Sequence, residues 1–312
     1  MWLILALTAL LFWSGSDLFS KMGSKPNDKY SHWKMVIAVG LVMGIHAIIE
    51  MLTGTPVSFQ AILYYLPASS MYILSMIFGY VTLRYIELSV SSPICNSSGA
   101  LAAILCFLVL GQTIDGLSTV GVVLVCVGVL LLGISEYTEY EEARRARQSK
   151  ANVKYSKSVL AILLPILYCI IDALGSFFDT MILDEENTVL PNIFHYLPED
   201  TANVAYELTF LFMALVAAIY VFIIRKDTVV IKAEGFKGIG AVCETIGQLA
   251  YIYALSANAV AAAPVISAYC AASVLWSRIF LKEKLSWKHY ASIAVVFAGI
   301  IILGVAEGLA EA

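Results

Sequence analysis

Apolar residues dominate this chain in ten long runs that are separated by short polar segments. A helix needs about 20 mostly apolar residues to cross the hydrocarbon core of a bilayer, and each run is close to that length. The runs cover residues 2–20, 33–52, 60–83, 89–110, 117–135, 158–182, 202–224, 236–256, 259–281 and 288–306. The pattern predicts an all-α fold, a polytopic integral membrane protein with ten transmembrane helices.

The two halves of the chain share one pattern at a constant offset. Residues 82–136 correspond to residues 171 positions further on, with Pro93 on Pro264 and Gly128 on Gly299. Because five helices is an odd number, the second copy must enter the membrane in the opposite sense, which makes the halves inverted repeats. The sequence therefore predicts a first five-helix repeat at 1–136, a charged cytoplasmic linker at 137–157 and a second five-helix repeat at 158–312.

Composition and charge support a membrane location and suggest an orientation. Apolar residues make up 60% of the chain, charged residues make up 13%, and the mean hydropathy is +0.85, far from the values of soluble proteins. Lys and Arg concentrate in the odd-numbered loops and are missing from the even loops and both termini. Because basic loops stay on the cytoplasmic side, we expect a multi-pass cell-membrane protein with cytoplasmic odd loops and both termini outside.

The sequence lacks the short motifs of common enzyme classes. It has no GxxxxGK[ST] loop, no HExxH pair, no nucleophile elbow and no Cys/His spacing of a metal site. We therefore predict no enzymatic activity, no cofactor, no metal and no nucleic-acid partner. The expected partners are the lipid bilayer and a small-molecule substrate. A membrane enzyme or sensor is the alternative from another class, and the scatter of acids and histidines over several depths disfavours it.

Three motifs follow one another in a characteristic order. They are Trp13-Ser14-Gly15 in the first run, the prolines Pro93 and Pro264 that open runs four and nine, and Leu-Lys-Glu-Lys-Leu-Ser at 281–286. In this order they resemble the EamA-type ten-helix proteins of the drug/metabolite transporter superfamily. The first repeat departs from that pattern, with Gly-Gln-Thr-Ile at 111–114 where the glutamate turn is expected. The resemblance implies secondary active transport or exchange of a small metabolite through a cavity between the halves, by a monomer or a homodimer.

Acidic side chains at membrane depth are candidates for function, because an ionisable group in hydrocarbon is costly. Asp172 lies near the middle of the sixth run and Glu244 near the middle of the eighth. Asp17 is the counterpart of Asp172, because Trp13 precedes the first by four residues and Tyr168 precedes the second by four. That spacing places an aromatic ring and a carboxylate on one helix face. Such a pair suits an organic ammonium ion.

Further polar side chains extend the candidate site. The additional candidates for substrate binding are Asn96, Ser267, Gln248, Tyr269 and Tyr72. The candidates for proton coupling are Asp172, Glu244, His46, Glu50 and Glu207. No Lys or Arg lies in the middle of a predicted span, which favours a cationic or amine-bearing substrate with proton coupling or exchange. A neutral or zwitterionic metabolite (an amino acid, nucleoside or vitamin) is the alternative, and a purely structural role stays open for each acid.

Overall fold

The structure, a computed structural model, describes residues 2–25, 27–138, 160–229 and 231–310. Within these ranges every regular element is a helix. The helices are α1 (Trp2–Gly23), α2 (Ser31–Thr53), α3 (Phe59–Tyr85), α4 (Leu88–Cys95), α5 (Ser98–Val109), α6 (Gly116–Thr138), α7 (Leu160–Leu183), α8 (Glu199–Ala218), α9 (Ile231–Ser267), α10 (Tyr269–Trp276) and α11 (Trp287–Ala310). Two π-helical turns, Ile219–Ile224 and Ser277–Leu281, extend α8 and α10.

The described residues form nine continuous helical segments that are long and apolar enough to span a membrane. One of them, Glu234–Leu281, has 48 residues and is about twice as long as a single crossing requires. Its backbone leaves the helical region at Asn258 (φ −164°, ψ 81°), which divides α9 into a first part, α9a (231–257), and a second part, α9b (259–267). Counting the two parts separately gives ten crossings, and the predicted all-α membrane fold is confirmed.

The fourth and ninth crossings are both interrupted near a proline. In the first half, the break between α4 and α5 falls at residues 96–97, just after Pro93. In the second half, the break between α9b and α10 falls at Ala268, just after Pro264. Proline has no N–H group for the helical ladder, so the backbone nearby needs other partners. The Ser97 hydroxyl donates to the Pro93 carbonyl oxygen at 3.0 Å, in the last turn of α4 before the break.

Helices from the two halves pack against one another as inverted repeats require. The first crossing of the first half, α1, packs on the third crossing of the second half, α9a. In the same way, the first crossing of the second half, α7, packs on the third crossing of the first half, α3. The pairs α2 with α8 and α6 with α11 each join equivalent helices of the two halves. The boundaries 1–136 and 158–312 stay a prediction, since residues 139–157 of the proposed linker lie outside the described residues.

Small residues allow α6 and α11 to approach closely. A Cβ atom on Gly128 would lie 2.6 Å from Cγ2 of Val296, and one on its repeat equivalent Gly299 would lie 2.7 Å from Cγ2 of Val125. Lipid offers no hydrophobic drive between helices, so close van der Waals packing at glycines is a main source of association. This seam holds the last crossings of the two halves together, away from the centre of the bundle.

Candidate functional site

A cavity lined by polar and aromatic side chains lies in the middle of the bundle, between the two halves. Nine of the ten predicted substrate-binding residues line it, and the tenth, Asp17, lies in an adjoining pocket that shares several of its walls. The cavity is lined by Trp13, Tyr72, Met76, Asn96, Tyr168, Asp172, Ser176, Tyr206, Glu244, Gln248, Tyr251, Ala263, Ile266, Ser267 and Tyr269. Residues that are far apart in sequence thus meet because inverted helix pairs surround one space.

Asp172 is held at the cavity wall by two hydroxyl groups from the first half. The Ser98 hydroxyl donates to Asp172 Oδ2 at 2.8 Å, and the Ser75 hydroxyl donates to Oδ1 at 3.1 Å. Ser98 begins α5 and Ser75 lies on α3, so the carboxylate of α7 bridges two helices of the other half. The side chain stays partly exposed to the cavity. A carboxylate oxygen has several lone pairs, so both oxygens can still accept from a bound ligand.

Asp17 and Glu244 form an acidic pair that lines the pocket next to the cavity. Asp17 Oδ2 accepts from the Ser92 hydroxyl at 2.6 Å and from the Ser273 hydroxyl at 3.0 Å. Glu244 accepts a hydrogen bond from the Ser16 hydroxyl. Glu244 lines both the central cavity and the pocket that contains Asp17, so the two spaces share this carboxylate.

Aromatic rings cover one side of the cavity. The ring centroid of Trp13 lies 5.0 Å from that of Tyr251 and 5.9 Å from that of Tyr269. Trp13 Nε1 donates to the backbone oxygen of Glu244 at 3.3 Å, which fixes the indole beside the acidic pair. Tyr72 meets Tyr251 edge to face at 6.1 Å, and their hydroxyl groups are hydrogen bonded. The rings therefore form a continuous wall next to carboxylates.

The ionisable side chains with carboxyl groups that line the cavity have no basic counterpart there among the described residues. The lining contains the carboxyl groups of Asp172 and Glu244 and, among the described residues, no Lys or Arg side chain. Gln248 also lines the cavity, is 3% exposed and has an amide Nε2 atom without a hydrogen-bond partner in the described part of the chain. A buried donor without a partner is unfavourable, so this group is available to an acceptor that enters the cavity.

Asp179 is a buried carboxylate that was not among the predicted site residues. It is 0% exposed and accepts from the Tyr65 hydroxyl at 2.8 Å and from the Tyr72 hydroxyl at 3.3 Å. Tyr72 also lines the cavity, so the Tyr72 side chain connects Asp179 to the cavity wall. The sequence contains a weak signal for it: Asp172 and Asp179 are seven residues apart, about two helical turns, and therefore share a face of α7.

The remaining three predicted proton carriers lie outside the cavity, between α2 and α8. His46 Nδ1 lies 2.9 Å from each carboxylate oxygen of Glu207, which is 0% exposed. His46 Nε2 lies 3.7 Å from Glu50 Oε1, one helical turn away on α2. The structure thus separates His46, Glu50 and Glu207 from Asp172 and Glu244, with no residue of the first group in the cavity lining.

The sequence analysis did not identify the serines that hold the acids. Ser75, Ser92, Ser98 and Ser273 all donate to Asp17 or Asp172. Serine is frequent at close helix contacts in membranes, so its presence alone does not mark a site. Only their pairing with acids across the bundle distinguishes these four, and that pairing depends on the tertiary structure.

Membrane-length helices arranged as inverted repeats around an acidic internal cavity define a polytopic membrane protein of the transporter class. The EamA-like transporter family model matches residues 1–134 and 199–305, well over half of the chain. The chain therefore belongs to the EamA-like transporter family, within the drug/metabolite transporter superfamily, and is a membrane transporter of that type.

Comparison with solved structures supports the same fold. Among them, 28 chains match. One, described as "Crystal structure of protein", aligns over 99% of this chain and 98% of its own length, with a TM-score of 0.57 and 15% sequence identity. That likeness concerns the fold alone. A search of curated proteins finds no significant match.

Proposed function

We propose that this transporter moves an organic cation or amine-bearing metabolite by alternating access, in exchange for protons. One observation carries the proposal: Asp172 and Glu244 line the same cavity together with an aromatic wall, and no basic side chain among the described residues lines it. An ammonium group would gain ion pairs with the carboxylates and attraction to ring faces of roughly 0.5 to 2 kcal/mol each. An anionic substrate would meet repulsion instead.

The serine contacts give each carboxylate a fixed position before a substrate arrives. Ser98 and Ser75 hold both oxygens of Asp172. The binding geometry is therefore prepared in advance, and less conformational entropy is lost when the ligand binds. The aromatic rings of Trp13 and Tyr269, held 5.9 Å apart, supply a rigid surface for the apolar part of an amine.

Proton exchange follows from competition for the same carboxylates. Burial in a poorly hydrated cavity disfavours an isolated negative charge, so an empty site gains from holding a proton. A bound cation supplies the compensating charge and displaces that proton. If the transporter switches between its two open conformations only when a proton or a cation is bound, the fluxes of proton and cation are coupled as antiport.

A second candidate is transport of a zwitterionic metabolite such as an amino acid. The buried Nε2 atom of Gln248, which has no partner in the described part of the chain, favours it. Gln248 lies one turn after Glu244 on α9a, so an ammonium group at Glu244 and a carboxylate or carbonyl group at Gln248 could belong to one small molecule. In that case the acids hold only the amino group and the substrate carries no net charge.

A ligand screen separates these functions. Detergent-purified protein would be heated with organic amines, zwitterionic amino acids, nucleosides and carboxylic acids, because a ligand raises the apparent melting temperature according to its occupancy. We expect the amines to stabilise the wild type and to lose this effect in Asp172→Asn/Glu244→Gln. If amino acids stabilise the wild type but not the Gln248→Leu variant, the result would favour transport of a zwitterion. Stabilisation by carboxylic acids alone would contradict both.

A further inference from the structure

Two turns at equivalent places in the two halves have the same backbone hydrogen bond. In the second half, Glu283 N donates to the Ser277 carbonyl oxygen at 3.1 Å. In the first half, Gln112 N donates to the Cys106 carbonyl oxygen at 3.4 Å. Both pairs of residues are related by the repeat offset of 171 positions. Glu283 and Gln112 are therefore structural equivalents, although their side chains differ in charge.

The residue before each of them also has the same conformation. Lys282 has a φ angle of 59° and Gly111 has a φ angle of 66°, both in the left-handed region. This geometry favours glycine, and a lysine there is uncommon. The shared conformation shows that the turn belongs to the repeated fold and does not depend on what its side chains contact. Glu283 and Gln112 are thus carried to equivalent positions at opposite ends of the bundle.

Glu283 reaches across to the other half. Its Oε1 atom accepts from the backbone N–H of Leu88 at 3.2 Å, and its Oε2 atom accepts from the backbone N–H of Ser89 at 3.0 Å. These residues begin α4, and a carboxylate is stabilised at a helix N-terminus by the free N–H groups and the helix dipole. This is the basic end of the bundle, defined here by Lys21, Lys34, Arg84 and Lys237. Glu283 therefore joins the halves at that end.

The equivalent contact at the other end is not made. The equivalents of Leu88 and Ser89 are Ala259 and Val260, which begin α9b. In the described part of the chain, no hydrogen bond joins the Gln112 side chain to them. Instead all three residues line an open crevice, at what we call the acidic end of the bundle, with Asp184 and Glu185 also in its wall.

We propose that Glu283 and Gln112 are paired latches for the alternating access on which the proposed function rests. Each docks on a helix N-terminus of the opposite half when its own end of the bundle is shut. The structure shows the basic-end latch closed and the acidic-end latch released. In the reverse state, the Gln112 amide oxygen accepts from the N–H groups of Ala259 and Val260 while Glu283 leaves α4.

The difference in charge between the latches sets the resting balance. A hydrogen bond to a carboxylate is roughly twice as strong as one between neutral groups. The neutral Gln112 amide also gains little from the helix dipole. The conformation closed at the basic end is therefore favoured without substrate, and a negative charge at position 112 must shift the population toward the reverse state.

Distances between spin labels test this without any substrate. Labels on unnatural amino acids at Thr113 and Ala257 would report the acidic end, and labels at their repeat equivalents, Lys284 and Ile86, the basic end. In liposomes we expect Gln112→Glu to increase the short-distance population at the acidic end severalfold. Glu283→Gln should decrease the short-distance population at the basic end.

Two matched variants complete the experiment. Gln112→Ala removes the side chain without adding charge and should leave the distances at the acidic end as in wild type. The combined Gln112→Glu/Glu283→Gln variant should reverse the resting preference. If Gln112→Glu and Gln112→Ala both give the wild-type distribution, or if Glu283→Gln leaves the basic end closed, the latches are refuted. The proposed function would not be touched by that outcome, because it is tested by ligand binding.

Discussion

Gly247 makes room for Trp13 at the cavity wall: a Cβ atom on Gly247 would lie 2.3 Å from Cδ1 of the indole ring. The other half has the same arrangement, since a Cβ atom on Gly79 would lie 2.9 Å from Cε2 of Tyr168. In both halves, an aromatic residue four positions before an acid packs on a glycine of the helix opposite. The two glycines thus set the position of the two rings beside the carboxylates.

Gly247→Ala should therefore weaken substrate binding without unfolding the protein. The added methyl group must push Trp13 toward the cavity, where it would occupy ligand space and move away from Tyr251. We expect at least a tenfold loss of affinity for the best amine ligand, measured by titration calorimetry. Gly238→Ala on the same helix is the control, because open space surrounds its Cβ position. Equal affinity in the two variants would contradict the packing argument.

Removing one serine should affect Asp172 specifically. Ser98→Ala deletes the 2.8 Å hydrogen bond to Oδ2, and the loss of one hydrogen bond to a charged group is worth about 1.5 to 3 kcal/mol. We expect weaker amine binding, because the carboxylate is no longer fixed before the ligand arrives. Ser70→Ala, on an exposed hydroxyl that donates only to the Pro67 carbonyl oxygen, is the matched control and should bind as wild type.

His46 and Glu207 allow a test between proton transfer and stability. His46→Gln keeps a hydrogen-bond donor near the buried Glu207 carboxylate but cannot titrate, whereas His46→Ala removes the histidine partner and leaves that carboxylate with Asn203. Breaking a fully buried pair costs about 3 to 5 kcal/mol, and we expect a smaller cost here because His46 is 27% exposed. We expect His46→Ala to lower the melting temperature and His46→Gln to retain pH-dependent transport in liposomes. Loss of the pH dependence in a stable His46→Gln protein would assign the pair to proton coupling.

At the basic end, Asp227 contributes stability that depends on pH. Its carboxylate lies 2.8 Å from Lys34 Nζ, and this contact holds the pKa of Asp227 below its usual range. The stabilisation is present above the ordinary carboxyl pKa of about 4 and is lost as the pH falls through the lowered folded value. Asp227→Asn should melt earlier than wild type at pH 7, and the difference in melting temperature should shrink as the pH is lowered below about 4. A difference that does not change with pH would contradict the ion pair.

The hydrophobic pattern was sufficient to predict the fold, because crossing a bilayer imposes both the length and the apolar character of each helix. The 171-residue offset then implied the inverted pairing that α1 with α9a and α3 with α7 display. The predicted runs 236–256 and 259–281 also placed a boundary at residues 257–258, and the backbone leaves the helical region at Asn258. The structure adds that the two crossings meet there with almost no loop.

The sequence was enough to predict the acidic residues of the candidate site, but less of what surrounds them. Asp172 and Glu244 are conspicuous because charge is costly in hydrocarbon. Ser75 and Ser98 are ordinary in a membrane helix, and their hydrogen bonds arise only once α3, α5 and α7 are packed. His46 and Glu207 are equally conspicuous in the sequence, because they are ionisable residues within predicted spans. The structure nevertheless places them as a pair outside the cavity.

Proton release on ligand binding tests the central claim most directly. A saturating amine would be added to the purified protein in weakly buffered detergent solution at pH 7, and the protons released would be counted with a pH indicator. Competition at Asp172 and Glu244 predicts release by the wild type and none by a folded Asp172→Asn/Glu244→Gln variant. Amine binding without proton release, or equal release by both proteins, would contradict exchange of a cation for protons at these carboxylates.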